Sequence, residues 1–215
     1  MLTMQRKRRI APRGLRAAAA LCALAMLAPI AARAQSGAYS LPTEKHAREF
    51  AITTGFATDL PGGAKGGNYW TAQIRFGRTL LSPRVLRGAL EVATELEPVK
   101  IFRQQGFIYG LESTPLLQWN ISTGGRLTPF INAGSGVLLT SAKFPRQRST
   151  PENSIPTTTH LNFTPQGGVG AYWFSSSTRA WVMGVRFHHT SSAGLTRYNP
   201  GHNALYIHAG IAWWR

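Results

Sequence analysis

His189 and Ser191 stand two positions apart in the stretch "FHHTSSAGL", residues 187–195. An imidazole within hydrogen-bond reach of a hydroxyl can take its proton as the oxygen attacks an ester carbonyl, so the pair has the parts of a nucleophilic hydrolase. Spacing of i,i+2 on a strand puts both side chains on one face, which permits the contact without enforcing it. The plainer alternative is two polar residues where a strand meets a loop, and His-x-Ser is too common a triplet to decide between them. The choice rests on where the carrying strand points the two side chains. No His, Cys, Asp or Glu cluster has ligand spacing and no loop is built to cradle phosphate, so neither a metal nor a cofactor is expected.

The chain opens with a segment that reads as a secretory signal peptide. Arg6, Lys7, Arg8, Arg9, Arg13 and Arg16 form a basic region, residues 17–32 an apolar run, and Ala32-Arg33-Ala34 an A-x-A cleavage site. Residues 1–34 are thus the expected leader and 35–215 one domain of about 180 residues. The single cysteine, Cys22, falls in the leader, so no disulfide staples the mature chain. Seven of the 24 Lys and Arg and none of the 8 acids lie in residues 1–34, which leaves +9 of the +16 formal charge on the mature chain. With export and no basic run past the leader, nucleic acid is an unsuitable partner. A polyanionic surface such as lipopolysaccharide, or solvated loops, accounts for the charge.

The mature chain lacks any apolar run of 18 residues and any long 3.6-residue pattern, and alternates instead. Phe50, Ile52, Thr54 and Phe56 share one face of a first segment; Trp70, Ala72, Ile74 and Phe76 share one face of a second, against Thr71, Gln73 and Arg75. A third sets Leu86, Leu90, Val92 and Leu96 against Arg87, Glu91 and Glu95, and a fourth carries Phe107, Tyr109 and Leu111, with an irregularity expected at Pro115. Four more follow, the seventh with Trp181, Met183, Val185 and Phe187 on one face and the eighth with Leu205, Ile207, Ala209, Ile211 and Trp213. Eight alternating segments in an exported chain predict an all-β fold, an eight-stranded antiparallel outer-membrane β-barrel. Arg75, Arg87, Glu91, Glu95 and Glu112 would then pair inside the lumen. The rival is a soluble periplasmic sandwich or lipocalin-like barrel, with its apolar side turned inward. Barrels of this kind begin and end in the periplasm, which puts short turns near 81–84, 122–127 and 175–178 and outer loops over 58–67, 100–104, 143–158 and 193–202.

Parity then answers the first question. His189 and Ser191 continue the face of Trp181, Met183, Val185 and Phe187, so they point outward at the outer-leaflet end of the strand. Asn203 shares parity with Leu205 and Ile207 and faces the same way. Three polar side chains at a lipid boundary need partners, because an unpartnered polar group facing acyl chains is costly. A hydrolase acting on a lipid already in the membrane would want its nucleophile there. His188 and His208 read as lumen residues and His202 as a loop residue.

The stretch "VRFHHTSSAGLTRYNPGHNALYIHAGIAWW", residues 185–214, resembles the C-terminal signature of the lipid A 3-O-deacylases, the PagL or acyloxyacyl hydrolase family. That signature runs Arg, His-x-Ser-Asn-Ala-Gly, Asn-Pro-Gly and a final strand. The resemblance implies an eight-stranded outer-membrane barrel that removes the ester-linked acyl chain at position 3 of lipid A, with Ser191 as nucleophile and His189 as general base. It also implies active-site support from Ser192 and Asn199. Two positions depart: the family's Asn after the serine is Ser192 here, and its glutamate is Asn203. An amide can accept from imidazole Nδ1 and orient the ring, but supplies no charge to an imidazolium. Lys65, Lys143, Arg146, Arg148 and Arg197 fall in the outer loops, where lipid A phosphates lie. The expected partner is therefore lipid A in the outer leaflet, with monomer and homodimer both open. The alternative function is a non-catalytic barrel with a structural or adhesive role; a transport barrel would need a wider lumen than eight strands leave.

Overall fold

The computed structural model describes residues 46–64, 67–82, 87–104, 106–145, 158–196 and 201–215. Its strands are β1 (Arg48–Asp59), β2 (Asn68–Leu81), β3 (Gly88–Arg103), β4 (Phe107–Ile121), β5 (Leu127–Phe144), β6 (Thr159–Ser176), β7 (Arg179–Thr190) and β8 (His202–Trp214). Each pairs antiparallel with its neighbours, and β1 pairs with β8 as well as β2, closing the barrel.

Which face is apolar decides between the two β architectures. The exposed set is apolar, with Met183 65% and Ile207 56% exposed beside Phe56, Trp70, Tyr109 and Trp181. The buried set is polar and charged, including Gln73, Arg75, Glu91, Glu95, Lys100, Glu112 and Arg186. A water-soluble sandwich would reverse this distribution, whereas a membrane barrel requires it. The interior is filled with side chains. Phe130, Tyr172, Phe174 and Trp214 pack at the short-turn end, and Tyr69, Phe102, Phe144 and Tyr206 at the other.

Between these aromatic layers lies an ion network. Arg75 reaches Glu49 at 2.8 Å, Glu91 at 2.8 Å and Glu95 at 3.1 Å. Glu95 also accepts from both terminal nitrogens of Arg186, from Nη2 at 2.7 Å. Lys100 Nζ lies 3.1 Å from Glu97 and 2.5 Å from Glu112. Removing one member of such a buried set strands the others. Glu95→Ala is therefore expected to destabilise the barrel by about 3–5 kcal/mol, seen as a clear drop in the temperature at which the folded band on a gel converts to the unfolded one.

Several sequence expectations change. Arg87 is exposed in the turn before β3 with φ 42°, outside the lumen. Residues 100–104 are largely strand rather than loop, since β3 runs to Arg103. Within β3 a register shift between Glu97 and Lys100 exposes both Pro98 and Val99 and turns Glu97 and Lys100 inward together. The irregularity expected at Pro115 takes the form of a gap: β4 runs through it and it pairs with Thr94 of β3, but the β4–β5 ladder has no paired positions at Thr114 and Pro115, with no register shift across the gap. His202 is the first residue of β8 and buried, not a loop residue. Leu86 lies outside the described residues.

The start of β1 and the end of β8 share one end of the barrel with the connections after β2, β4 and β6. The general orientation of such barrels makes that end periplasmic. The connections after β1, β3, β5 and β7, and with them the close of β7 and start of β8, then lie at the outer end.

Candidate active site

The site is built on the outer ends of β7 and β8. His189 and Asn203 are register partners directly across the pair, so strand pairing itself brings them together. His189 Nδ1 lies 2.6 Å from Asn203 Oδ1. An amide oxygen only accepts, so Nδ1 carries the hydrogen, and in the neutral ring the lone pair is then on Nε2. That is the tautomer a general base needs.

Ser191 lies one residue past β7 and stays in register with β6. Its N–H donates to Phe163 O at 3.0 Å and its carbonyl accepts from Phe163 N at 2.7 Å. Alternation is thereby held through the strand end, and Ser191 shares the outward face of Phe187 and His189. Both His189 and Ser191 are partly exposed, while the residues between and after them, Thr190 and Ser192, are buried. No hydrogen bond joins His189 and Ser191; catalytic contacts of this kind commonly tighten only around a substrate.

The other edge of the imidazole rests on Gly201. A Cβ at that position would lie 2.6 Å from His189 Cε1 and 3.2 Å from Nε2, and φ there is 64°. Only glycine fits both the backbone and the ring. Gly201→Ala is expected to push the ring off its position and lower turnover by about 10²-fold, while the barrel stays folded by gel mobility. The sequence hint was the Asn-Pro-Gly turn, but not the contact.

The connection after β1 braces this corner. Leu60 N donates to Asn203 O at 2.8 Å and Ala64 N to Gly201 O at 2.8 Å. Asp59 Oδ1 lies 2.9 Å from His202 Nε2 and accepts from Gly67 N at 3.0 Å. Among the described residues Asp59 is the carboxylate nearest the site in the strand register, across from Ala204, and its carboxylate contacts include His202 Nε2 and Gly67 N. Sequence reading placed His202 in a loop and did not single out Asp59.

Ser192 is placed differently from Ser191. It is fully buried, and its hydroxyl meets Thr196 Oγ1 at 2.9 Å on the opposite face. Its carbonyl accepts from Leu195 N at 3.0 Å, closing a turn whose central residues Ala193 and Gly194 have φ of 48° and 86°. This is the type I′ pattern, in which positive φ at both central positions lets the chain reverse tightly after the serine. Lys143 is exposed near the outer end of β5, and Arg103, which sequence reading passed over, is exposed at the end of β3. Asn199, Lys65, Arg146, Arg148 and Arg197 lie outside the described residues. His188 and His208 are buried in the lumen, as parity predicts.

A protein-family model described as lipid A 3-O-deacylase (PagL) matches residues 53–212. Among solved structures, that of the outer membrane enzyme PagL matches with a TM-score of 0.53 at 19% identity, covering 75% of this chain and 97% of that one. The N-terminal β-barrel domain of OprF from Pseudomonas aeruginosa matches with a TM-score of 0.45 at 10% identity, covering 79% and 98%. The outer membrane protein OprG from Pseudomonas aeruginosa gives 0.44 at 14%, covering 80% and 98%. None of the curated proteins matches.

Proposed function

Since this chain belongs to the lipid A 3-O-deacylase (PagL) family, we propose that it is a serine esterase in which Ser191 attacks the 3-O-acyl ester of lipid A, His189 moves the proton and Asn203 holds the imidazole. The observation that carries this reading is the 2.6 Å contact from His189 Nδ1 to Asn203 Oδ1 on the lipid-facing side of the barrel. It leaves the Nε2 lone pair free for the serine.

The chemistry follows from those positions. Substrate brings Ser191 Oγ and His189 Nε2 together. Oγ bonds to the ester carbonyl carbon as its proton passes to Nε2, giving a tetrahedral oxyanion. Collapse breaks the bond to the sugar oxygen, which leaves with the proton from Nε2. Water then attacks the acyl-serine with His189 again as base, and the fatty acid departs. Asn203 keeps the ring oriented throughout, but adds no negative charge beside the imidazolium. Ser192 supports the site through the turn that its carbonyl closes, and Asn199 has the supporting role that its match to the family's Asn-Pro-Gly implies. Lys143, exposed near the outer end of β5, together with Lys65, Arg146, Arg148 and Arg197, offers cations to the phosphates of lipid A. Residues 1–34 serve as the export signal for the barrel of residues 35–215.

A fluorophosphonate tests the serine assignment. The folded barrel is expected to take up one adduct, on the peptide carrying Ser191, with uptake abolished in Ser191→Ala and strongly slowed in His189→Ala. An unlabelled wild type, or an adduct that survives Ser191→Ala, would remove Ser191 as nucleophile and leave a barrel of structural or adhesive role as the better reading.

A further inference from the structure

Far from Ser191, at the short-turn end, three arginines stand abreast on neighbouring strands. Arg48 of β1 is the register partner of Arg78 of β2. On its other side, Arg48 N donates to Arg215 O at 2.7 Å and Arg215 N to Arg48 O at 2.9 Å, so Arg215 continues the row beyond β8. All three are exposed. Strand spacing of about 4.8 Å puts their stems within about 10 Å along the barrel wall.

Like charges directly across strands repel. Among the described residues none of the three forms an ion pair, and Arg78 Nη2 instead meets His46 Nδ1 at 2.9 Å. Arg87, Arg126 and Arg179 are exposed at the same end, and no described side-chain carboxylate is exposed there. The reason lies in the lumen, which takes Glu49, Glu91, Glu95, Glu97 and Glu112. A free α-carboxylate on Arg215 would offset one charge of the row and leave two.

The wall beside the row says what kind of anion fits. Two residues closer to the membrane centre, Phe76, Phe50 and Trp213 form a parallel row on the same face, also paired across β2, β1 and β8. Their ring centroids lie 5.4 Å and 5.7 Å apart. Aromatic rings at the membrane boundary with guanidinium groups one step beyond match a lipid's glycerol and phosphate levels.

We propose that Arg78, Arg48 and Arg215 bind the phosphate headgroup of an anionic glycerophospholipid of the inner leaflet, with the Phe76, Phe50 and Trp213 row against its glycerol and upper acyl chains. Guanidinium forks hold phosphate oxygens by paired, charge-assisted hydrogen bonds. A row of three cations suits a lipid with two phosphodiesters better than one with a single phosphate. The site is separate from the acyl-ester site in the opposite leaflet and is independent of it.

Native mass spectrometry of the intact barrel tests this. The barrel, in mild non-ionic detergent, is offered equal amounts of phosphatidylethanolamine, phosphatidylglycerol and cardiolipin. One retained lipid is expected, anionic over zwitterionic by on the order of tenfold or more, with cardiolipin held best. Arg48→Gln combined with Arg215→Gln is expected to abolish that preference while gel mobility reports a folded barrel. Arg215→Gln alone, at the exposed strand end, is expected to weaken it and serves if the double variant does not fold. Equal retention of zwitterionic and anionic lipid overturns the proposal, and so does an anionic preference that the folded variants leave unchanged.

Discussion

Removing the Ser191 hydroxyl, the His189 imidazole or both together is expected to lower kcat on lipid A by on the order of 10⁴-fold or more, with the three losses nearly equal. In the proposed mechanism the two groups act as one unit: a hydroxyl without a base is a poor nucleophile, and a base without a hydroxyl has nothing to activate. Once either is gone, removing the other takes away little more. KM is expected to change little if, as proposed, the rim cations and barrel wall rather than these two side chains hold the substrate. The measurement is hydroxy fatty acid release from micellar lipid A by Ser191→Ala, His189→Ala and the double variant. Losses that multiply would mean that the two residues act independently.

Asn203→Glu is expected to raise kcat by roughly tenfold to a hundredfold, a gain of about 1.4–2.7 kcal/mol in the barrier. The amide already sets the correct tautomer through its contact with Nδ1. What it lacks is charge, and the imidazolium forms just as the serine proton leaves. A carboxylate at the same place adds an ionic attraction that exists only after proton transfer, which is the condition for accelerating a step rather than tightening ground-state binding. Asn203→Leu removes the acceptor with little change of volume. Nδ1–H then has no partner, the ring is free to flip or change tautomer, and a loss of about 10²-fold or more is expected. Rates of acyl release from the three proteins check the order Glu above Asn above Leu at position 203. A rate that falls on introducing the carboxylate would contradict the assigned role.

The barrel was legible because a two-residue period survives in single strands. Met183, Val185, Phe187, His189 and Ser191 fall on one face whatever the neighbouring strands do, and the backbone exchange between Ser191 and Phe163 keeps that face to the strand's end. Lys100, expected in an outer loop, lies in β3 and faces the lumen, because one extra residue between Glu97 and Lys100 reverses parity there; Pro98 was the sequence mark of that shift. Ser192 illustrates the other side of the rule: being next to the serine in sequence puts its hydroxyl on the opposite face. The bracing of the site was hidden for a different reason. Asp59 and His202 are 143 positions apart and meet only because closure sets β1 beside β8. Gly201 read as a turn residue, whereas its lack of a Cβ is what admits the His189 ring.

The most direct test is mass spectrometry of lipid A from cells expressing the wild type or Ser191→Ala, with both barrels verified as folded in the outer membrane. Loss of one hydroxyacyl chain from the 3 position with the wild type, and unaltered lipid A with Ser191→Ala, is the predicted result. Unaltered lipid A in both, or the same deacylated product in both, would contradict the assignment of Ser191 as the nucleophile of a lipid A 3-O-deacylase.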